Sequence, residues 1–350
     1  MEYVVRSPNR AGVRLLLACC LAKLVDPRID IRKPYTELNS QGAYSGRNYD
    51  EAFITPFIYK HGLPCNPTTA FLTPALRTKN LVLTRDVRLG GKPPQLYENA
   101  VHLLNDVHEG KVSAQDLLTE LIRLLVIKRE GNRQRIEYQL AALREVQSQT
   151  TLPLSSEAIV TLMQQHLASP HSSRLPVLVV AAYLAAEQYL KERVLSLQPH
   201  TAADEQTGAF GDVEITLIDD NRVVTSYEMK TRRITTDDIE RAVQKTAKAE
   251  HKIDNYIFIT TEVIEESVRS YAAKQYERTG GVEITVLDCM GFLRHFLHLF
   301  HRLRIRFLEA YQNLLLAEPE SAVRQELKES FLTLRRAAET AMLESDGQEC

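Results

Sequence analysis

The stretch Gly211-Asp212-Val213-Glu214-Ile215-Thr216-Leu217-Ile218, then Asp219-Asp220-Asn221, then Arg222-Val223-Val224-Thr225-Ser226-Tyr227-Glu228-Met229-Lys230, reads as a β-hairpin. Both arms are rich in β-branched and aromatic residues, and the segment between them is polar. With 219–221 as the loop, Ile218 faces Arg222, and counting back along the ladder sets Asp212 opposite Glu228. Side chains alternate faces along a strand. Asp212, Glu214, Glu228 and Lys230 therefore share one face, and Val213, Ile215, Leu217, Val223, Tyr227 and Met229 fill the other. The apolar face is expected against helices and the charged face in a cleft. Register decides the matter, because a slip of one residue would throw Asp212 to the opposite face.

Carboxylates facing each other on neighbouring strands repel at a cost of roughly a few tenths of a kcal/mol. A divalent cation removes that cost, and Mg²⁺ takes one or two carboxylates plus water and phosphate oxygens. An acid-x-Lys triplet alone carries little information, since Glu109-Gly110-Lys111, Glu250-His251-Lys252 and Glu326-Leu327-Lys328 also occur. Only Glu228-Met229-Lys230 falls in a strand with an acid in the matching place on its partner.

Outward from the hairpin, helices are expected at about Ser156 to Ala168 and from Pro176 to about Val194, with Pro176 suited to a first helical turn. Tyr256 to Thr260 and Val282 to Leu287 read as strands, and Thr236 to Lys252 and Val263 to Arg278 as helices between them. Two more helices follow at Met290 to Leu316 and Ser321 to Leu343. This order makes an α/β (α+β) fold with a mixed central sheet flanked by helices.

Residues 1–150 read as mainly helical, with helices at Asn9 to Val25, Tyr49 to His61 and Ser113 to Lys128, and a long Pro-, Thr- and Gly-rich segment from Leu63 to Pro94. Loops of that length are usually functional or disordered. Its Arg77, Lys79, Arg85 and Arg88 favour function. The polar stretch around Pro153 marks a boundary, so the expected organisation is 1–150, 151–316, and 317–350 as a C-terminal helix with an acidic tail.

At 350 residues two domains or one elaborated domain are expected, and 44% hydrophobic with 25% charged residues is the composition of a soluble globular protein. The longest apolar run, Leu175 to Ala186, is too short to span a bilayer, and no signal peptide is read at the N-terminus. Five cysteines without CxxC spacing argue against a disulfide framework or a zinc site and fit a cytoplasmic protein. The net charge of −2 announces no nucleic-acid partner, but basic residues gather locally. From Arg77 to Lys92 five basic residues meet one acid, and from Cys289 to Leu308 the only charges are four arginines. Such segments suit a phosphate-gripping cleft and equally suit solvated helices.

At Asp212, Glu228 and Lys230 the chain resembles the PD-(D/E)XK nuclease superfamily, and residues 175–290 follow its helix–sheet–helix order. Gly211 stands where that family commonly has proline. Glu187 falls where many members carry a glutamate on the helix before the first strand. Ser45-Gly46-Arg47-Asn48-Tyr49-Asp50-Glu51 and Asn66-Pro67-Thr68-Thr69-Ala70-Phe71-Leu72-Thr73-Pro74-Ala75-Leu76-Arg77 resemble segments of SacI-like type II restriction endonucleases. The resemblance implies a restriction-endonuclease-like core and Mg²⁺-dependent hydrolysis of double-stranded DNA leaving 5′-phosphates. Metal ligands would be Asp212, Glu228, the Met229 carbonyl and Glu187, with Lys230 acting on the attacking water. It also implies a homodimer and a cognate DNA methyltransferase in the same system.

Base reading is expected from Arg47, Asn48, Arg77, Lys79 and Asn80, and backbone contacts from Arg232, Arg233, Arg241, Lys245 and Lys248, the last three spaced for one helical face. Two alternatives stay open: a repair or recombination nuclease of the same fold, and a non-catalytic DNA-binding protein. His295, His298 and His301 lack an acid or cysteine to complete a metal site and read as packing or solvated residues. Gly90-Gly91-Lys92 lacks the remainder of a phosphate loop.

Overall fold

A computed structural model describes the backbone of residues 1–66, 71, 73, 75–76, 80–149, 152–169, 176–195, 210–220, 222–248, 253–320 and 322–346. The chain divides into two compact units, Met1–Glu137 with Pro319–Ala322, and Tyr138–Glu318 with Val323–Cys350.

The first unit contains α1 (Glu2–Arg6), α2 (Ala11–Val25), α3 (Gly46–Tyr49), a π-helical turn at Asp50–Ile54, α4 (Thr55–His61) and α5 (Pro94–His108). It also takes most of α6 (Ala114–Gln149). Helix α2 is apolar on every side, as a helix at the centre of a core must be, and Leu15, Leu16, Cys19 and Cys20 are fully buried. Leu96, Ala100 and Leu104 of α5 and Leu117, Leu121 and Leu125 of α6 join the same core at helical spacing. A buried ion pair, Arg14 to Asp50 at 3.1 Å, sits within it, and Arg14 also donates to the Asn66 carbonyl at 2.7 Å. Sequence pattern missed α5 and stopped α6 at Lys128.

The second unit continues with α7 (Ser156–Leu167), α8 (Pro176–Leu190), β1 (Glu192–Val194), β2 (Val213–Leu217), β3 (Val223–Lys230), α9 (Thr236–Ala247) and β4 (Asn255–Thr260). After these come α10 (Glu266–Ala273), α11 (Gln275–Arg278), β5 (Glu283–Asp288), α12 (Cys289–Leu299), α13 (Arg304–Ala317) and α14 (Gln325–Asp346). The strands form one mixed sheet in the order β1-β2-β3-β4-β5, antiparallel up to β3 and parallel from β3 to β5. The mixed α/β architecture expected from the pattern is the one observed. Parallel pairing needs a crossover, and the helices α9 and α10–α11 lie in the two crossovers.

Strand β4 is buried along nearly its whole length, which explains its unbroken Tyr256-Ile257-Phe258-Ile259. One face of the sheet contributes Tyr256, Phe258, Ile284 and Val286 to a core closed by Ile239, Ala242 and Val243 of α9 and Val268 and Ala272 of α10. On the other face the Tyr227 ring meets Tyr183 of α8 and Phe292 of α12 edge-on. A further aromatic cluster joins His166 of α7, Tyr311 of α13 and Phe331 of α14.

Several boundaries differ from the sequence reading. Helix α8 stops at Leu190 because Lys191 takes a left-handed conformation (φ 52°), and an unforeseen edge strand, β1, follows. The helix expected over 290–316 is two helices, since Phe300 leaves helical torsions and folds its ring against Phe296 at 5.2 Å. The segment expected as one helix over 263–278 is the two short helices α10 and α11.

Candidate active site

Pairing of β2 with β3 matches Val213 with Tyr227, Glu214 with Ser226 and Ile215 with Thr225, and then Thr216 with Val223. Val224 is therefore the extra residue of a β-bulge. Extending the regular part of the ladder by one residue sets Asp212 across from Glu228. The turn region corrects the simple hairpin: Ile218 does not pair with Arg222, and the Asp220 carboxylate instead holds Arg222 at 2.6 Å. A turn shifted by one residue would have moved Asp212 to the wrong face, and the one-residue bulge restores it. Beyond the bulge the faces of β3 exchange, and Val223 joins the core of Tyr256 and Phe258. Leu217, the last residue of β2, is 43% exposed.

At the site Asp212 Oδ2 accepts a hydrogen bond from the Met229 N–H at 2.7 Å. A strand residue projects its N–H and C=O to the same side, so the Met229 carbonyl faces the Asp212 edge as well. Lys230 Nζ pairs with Glu228 Oε1. The other oxygen, Oε2, accepts from the Tyr256 hydroxyl at 3.0 Å and lies 3.7 Å from Lys245 Nζ. Both of these groups also reach the Phe210 carbonyl, Tyr256 at 2.8 Å and Lys245 at 3.3 Å. Glu214 Oε1 accepts the Phe210 N–H at 2.8 Å. Asp212 is exposed, Glu228 and Lys230 are half-buried, and Tyr256 is buried.

Gly211 has a structural reason. A Cβ there would lie 2.6 Å from the Tyr227 carbonyl oxygen and 2.6 Å from Ser226 Oγ. The first acid's strand approaches β3 too closely for any side chain, proline included.

Asp238 organises the approach to α9. It forms a capping box with Thr235 and takes Arg232 at 2.6 Å and Arg241, although its side chain is only 2% exposed. Burial raises its carboxyl pKa. Hydrogen bonds from Arg232, the Thr235 backbone, Arg241 and the Thr235 hydroxyl outweigh that and hold it well below the usual carboxylate range. Arg232 and Arg241 are thus tied into this turn, Arg233 is exposed and 3.5 Å from Glu265, and Lys248 is exposed at the end of α9.

The remaining residues singled out from sequence lie elsewhere or outside the described residues. Arg47 and Asn48 are exposed on α3, where Ser45 caps the helix, and Arg47 pairs with Glu51 at 2.7 Å. Asn80 is exposed with φ 40°. These three belong to the first unit. Arg77 and Lys79, with residues 67–70, 72 and 74, lie outside the described residues, as does the side chain of Glu187 on α8. Arg85 pairs with Asp106 and Glu109, and Arg88 with Glu98. Among the described histidines, His298 contacts Glu157 at 2.9 Å and His301 contacts Ser156 at 3.2 Å. Of the other acid-x-Lys triplets, Glu109 and Lys111 form a surface pair and Glu326 and Lys328 lie in α14.

Sequence reading did not find Tyr256 as a site residue, and it assigned Lys245 to the DNA backbone. Tyr256 enters through the parallel pairing of Ser226 with Tyr256 and Glu228 with Phe258, a register that no sequence spacing encodes.

No helix among the described residues is long and apolar enough to cross a membrane. No curated protein sequence matches the chain. Residues 151–262, which carry every group of this site from Phe210 to Tyr256, match the family model of the SacI restriction endonuclease C-terminal domain, so this stretch resembles a restriction-endonuclease domain and supports a nuclease.

Proposed function

We propose that the chain is a type II restriction endonuclease of the PD-(D/E)XK kind, cutting double-stranded DNA at a specific sequence with Mg²⁺ and leaving 5′-phosphates. One observation carries the reading. In a stretch that resembles a restriction-endonuclease domain, the Asp212 carboxylate rests on the Met229 N–H beside Glu228, whose own carboxylate holds Lys230.

The donor set suits Mg²⁺. Among the described residues no three His, Cys, Asp or Glu groups converge as metal ligands. Two carboxylates and a carbonyl fit an ion that leaves much of its coordination to water and phosphate. Asp212, Glu228 and the Met229 carbonyl would hold it, with Glu187 as a further acid. When bound, the ion supplies a Lewis acid against a non-bridging phosphate oxygen.

Lys230, kept in place by Glu228, orients the attacking water and helps take its proton. Arg232, Arg233, Arg241 and Lys248 engage the phosphate backbone near the cut. Arg47, Asn48, Arg77, Lys79 and Asn80 are assigned to base edges, where Arg or Lys suits guanine and Asn suits adenine. A palindromic site cut on both strands calls for two symmetric centres, hence a homodimer. A methyltransferase modifying the same site would protect the host DNA.

Incubation of the purified protein with phage DNA and Mg²⁺ tests this function. Discrete fragments that disappear with EDTA support it. Smearing, or cutting confined to branched substrates, contradicts sequence-specific restriction.

A further inference from the structure

We infer that Tyr256 and Lys245 are positioning residues that set the spacing of Asp212 and Glu228; the inference rests on the nuclease reading of this site. Both groups reach the same two oxygens. One is Glu228 Oε2, at 3.0 Å from the Tyr256 hydroxyl and 3.7 Å from Lys245 Nζ. The other is the Phe210 carbonyl oxygen, at 2.8 Å and 3.3 Å respectively. Phe210 stands two residues before Asp212, and its N–H is fixed by Glu214 at 2.8 Å. The lead-in to the first acid and the side chain of the second acid are thus tied to one hydroxyl and one ammonium.

The chemistry explains why two donors are present. A tyrosine hydroxyl has a single proton and cannot fully satisfy a carbonyl and a carboxylate together, whereas an ammonium has three. Tyr256 is 1% exposed on the buried inner strand β4, so its ring is fixed by the core, and Lys245 comes from α9. The capping box of Thr235 and Asp238 anchors that helix at its start. The pair therefore couples the separation of the two acids to the buried strand β4 and to α9. Partners that orient metal-ligating groups in this way typically affect metal affinity or activity about 10- to 100-fold.

The test compares wild-type protein with Tyr256→Phe, Lys245→Met, Lys245→Arg and the Tyr256→Phe/Lys245→Met double variant. Thermal unfolding monitors the fold, calorimetry gives the Mn²⁺ affinity of the free protein, and steady-state cleavage with Mg²⁺ gives kcat and KM. Mn²⁺ affinity and kcat are expected to fall about 10- to 100-fold in Lys245→Met and in the double variant, with KM and melting temperature close to wild type. Lys245→Arg recovers most of the loss. Wild-type Mn²⁺ affinity and kcat in both single variants overturn the inference, as does a rise in KM alone, which would make Lys245 a DNA-backbone contact. Should Tyr256→Phe fail to fold, the half-exposed Lys245 decides the matter by itself. A wild-type protein that neither binds Mn²⁺ nor cuts DNA overturns the nuclease reading and the inference with it. Active wild type with unaffected variants overturns the inference alone.

Discussion

Asp212 Oδ2 sits 2.7 Å from the backbone nitrogen of Met229, so an acid seventeen residues earlier in the chain is held against the backbone that joins Glu228 to Lys230 on the neighbouring strand. The contact depends on how closely the two strands approach one residue earlier, at Gly211.

Gly211→Ala is therefore expected to separate the strands and misplace Asp212. The added Cβ would meet the Tyr227 carbonyl oxygen, a backbone atom that cannot swing aside. Overpacking of this kind costs about 1–3 kcal/mol, and a misplacement near 1 Å costs roughly 10²-fold in rate. Cleavage kinetics combined with urea unfolding would read both losses. An Ala variant with unchanged rate and stability would show that the approach is not needed.

Asp238 links the end of β3 to α9. Its folded pKa lies below the ordinary value, so its contribution is present at neutral pH and down to the usual carboxylate range, and is lost as pH falls below it. Asp238→Asn should lower stability at pH 7 by about 1–2 kcal/mol, the scale of a helix cap, and should flatten the acid limb of the stability profile. Melting temperatures between neutral and acid pH would check it. An unchanged acid limb would rule out this role.

His166 is 1% exposed among Tyr311 and Phe331, and burial pushes its pKa down from 6.5 to about 4. The folded state thus holds a neutral imidazole. The stability this represents is present in full above the unfolded pKa, near 6.5, and is lost as pH falls toward 4. His166→Phe keeps an aromatic ring in place and removes the titration. Its stability should vary less between pH 6.5 and 4 by on the order of 2–3 kcal/mol. Parallel profiles for the two proteins would contradict the assignment.

Arg233 and Lys248 are exposed at opposite ends of the turn and helix beside the site. If each neutralises a phosphate, replacing either with Gln should weaken DNA binding evenly across sequences and reduce the slope of log K against log salt by about 1. Fluorescence anisotropy at several salt concentrations measures the slope. A full wild-type slope in both variants would remove them from the interface.

The hairpin was legible because its pattern is local. Alternation gave the strands, and the acid at 212 lay on the regular side of the ladder, away from the bulge. The bulge itself at Val224 left no mark, since two adjacent valines fit a regular strand equally well. It explains why Val223 fell on the wrong face while Asp212 and Glu228 did not. Strand β1 escaped notice because three residues after an apolar helix carry no period. Its start depends on Lys191 adopting a left-handed conformation, which lysine rarely does. Tyr256 was legible only as the start of a strand, and the parallel register with β3 brings its hydroxyl to Glu228.

The central claim is that Asp212, Glu228 and Lys230 form the cutting centre. The most direct test is the single-turnover cleavage rate in Mg²⁺ for wild type and Asp212→Asn, with DNA affinity measured in Ca²⁺ as a control for folding. Loss of several kcal/mol of transition-state stabilisation predicts a fall of about 10³-fold or more, with binding retained. Cleavage by Asp212→Asn at the wild-type rate would contradict the account.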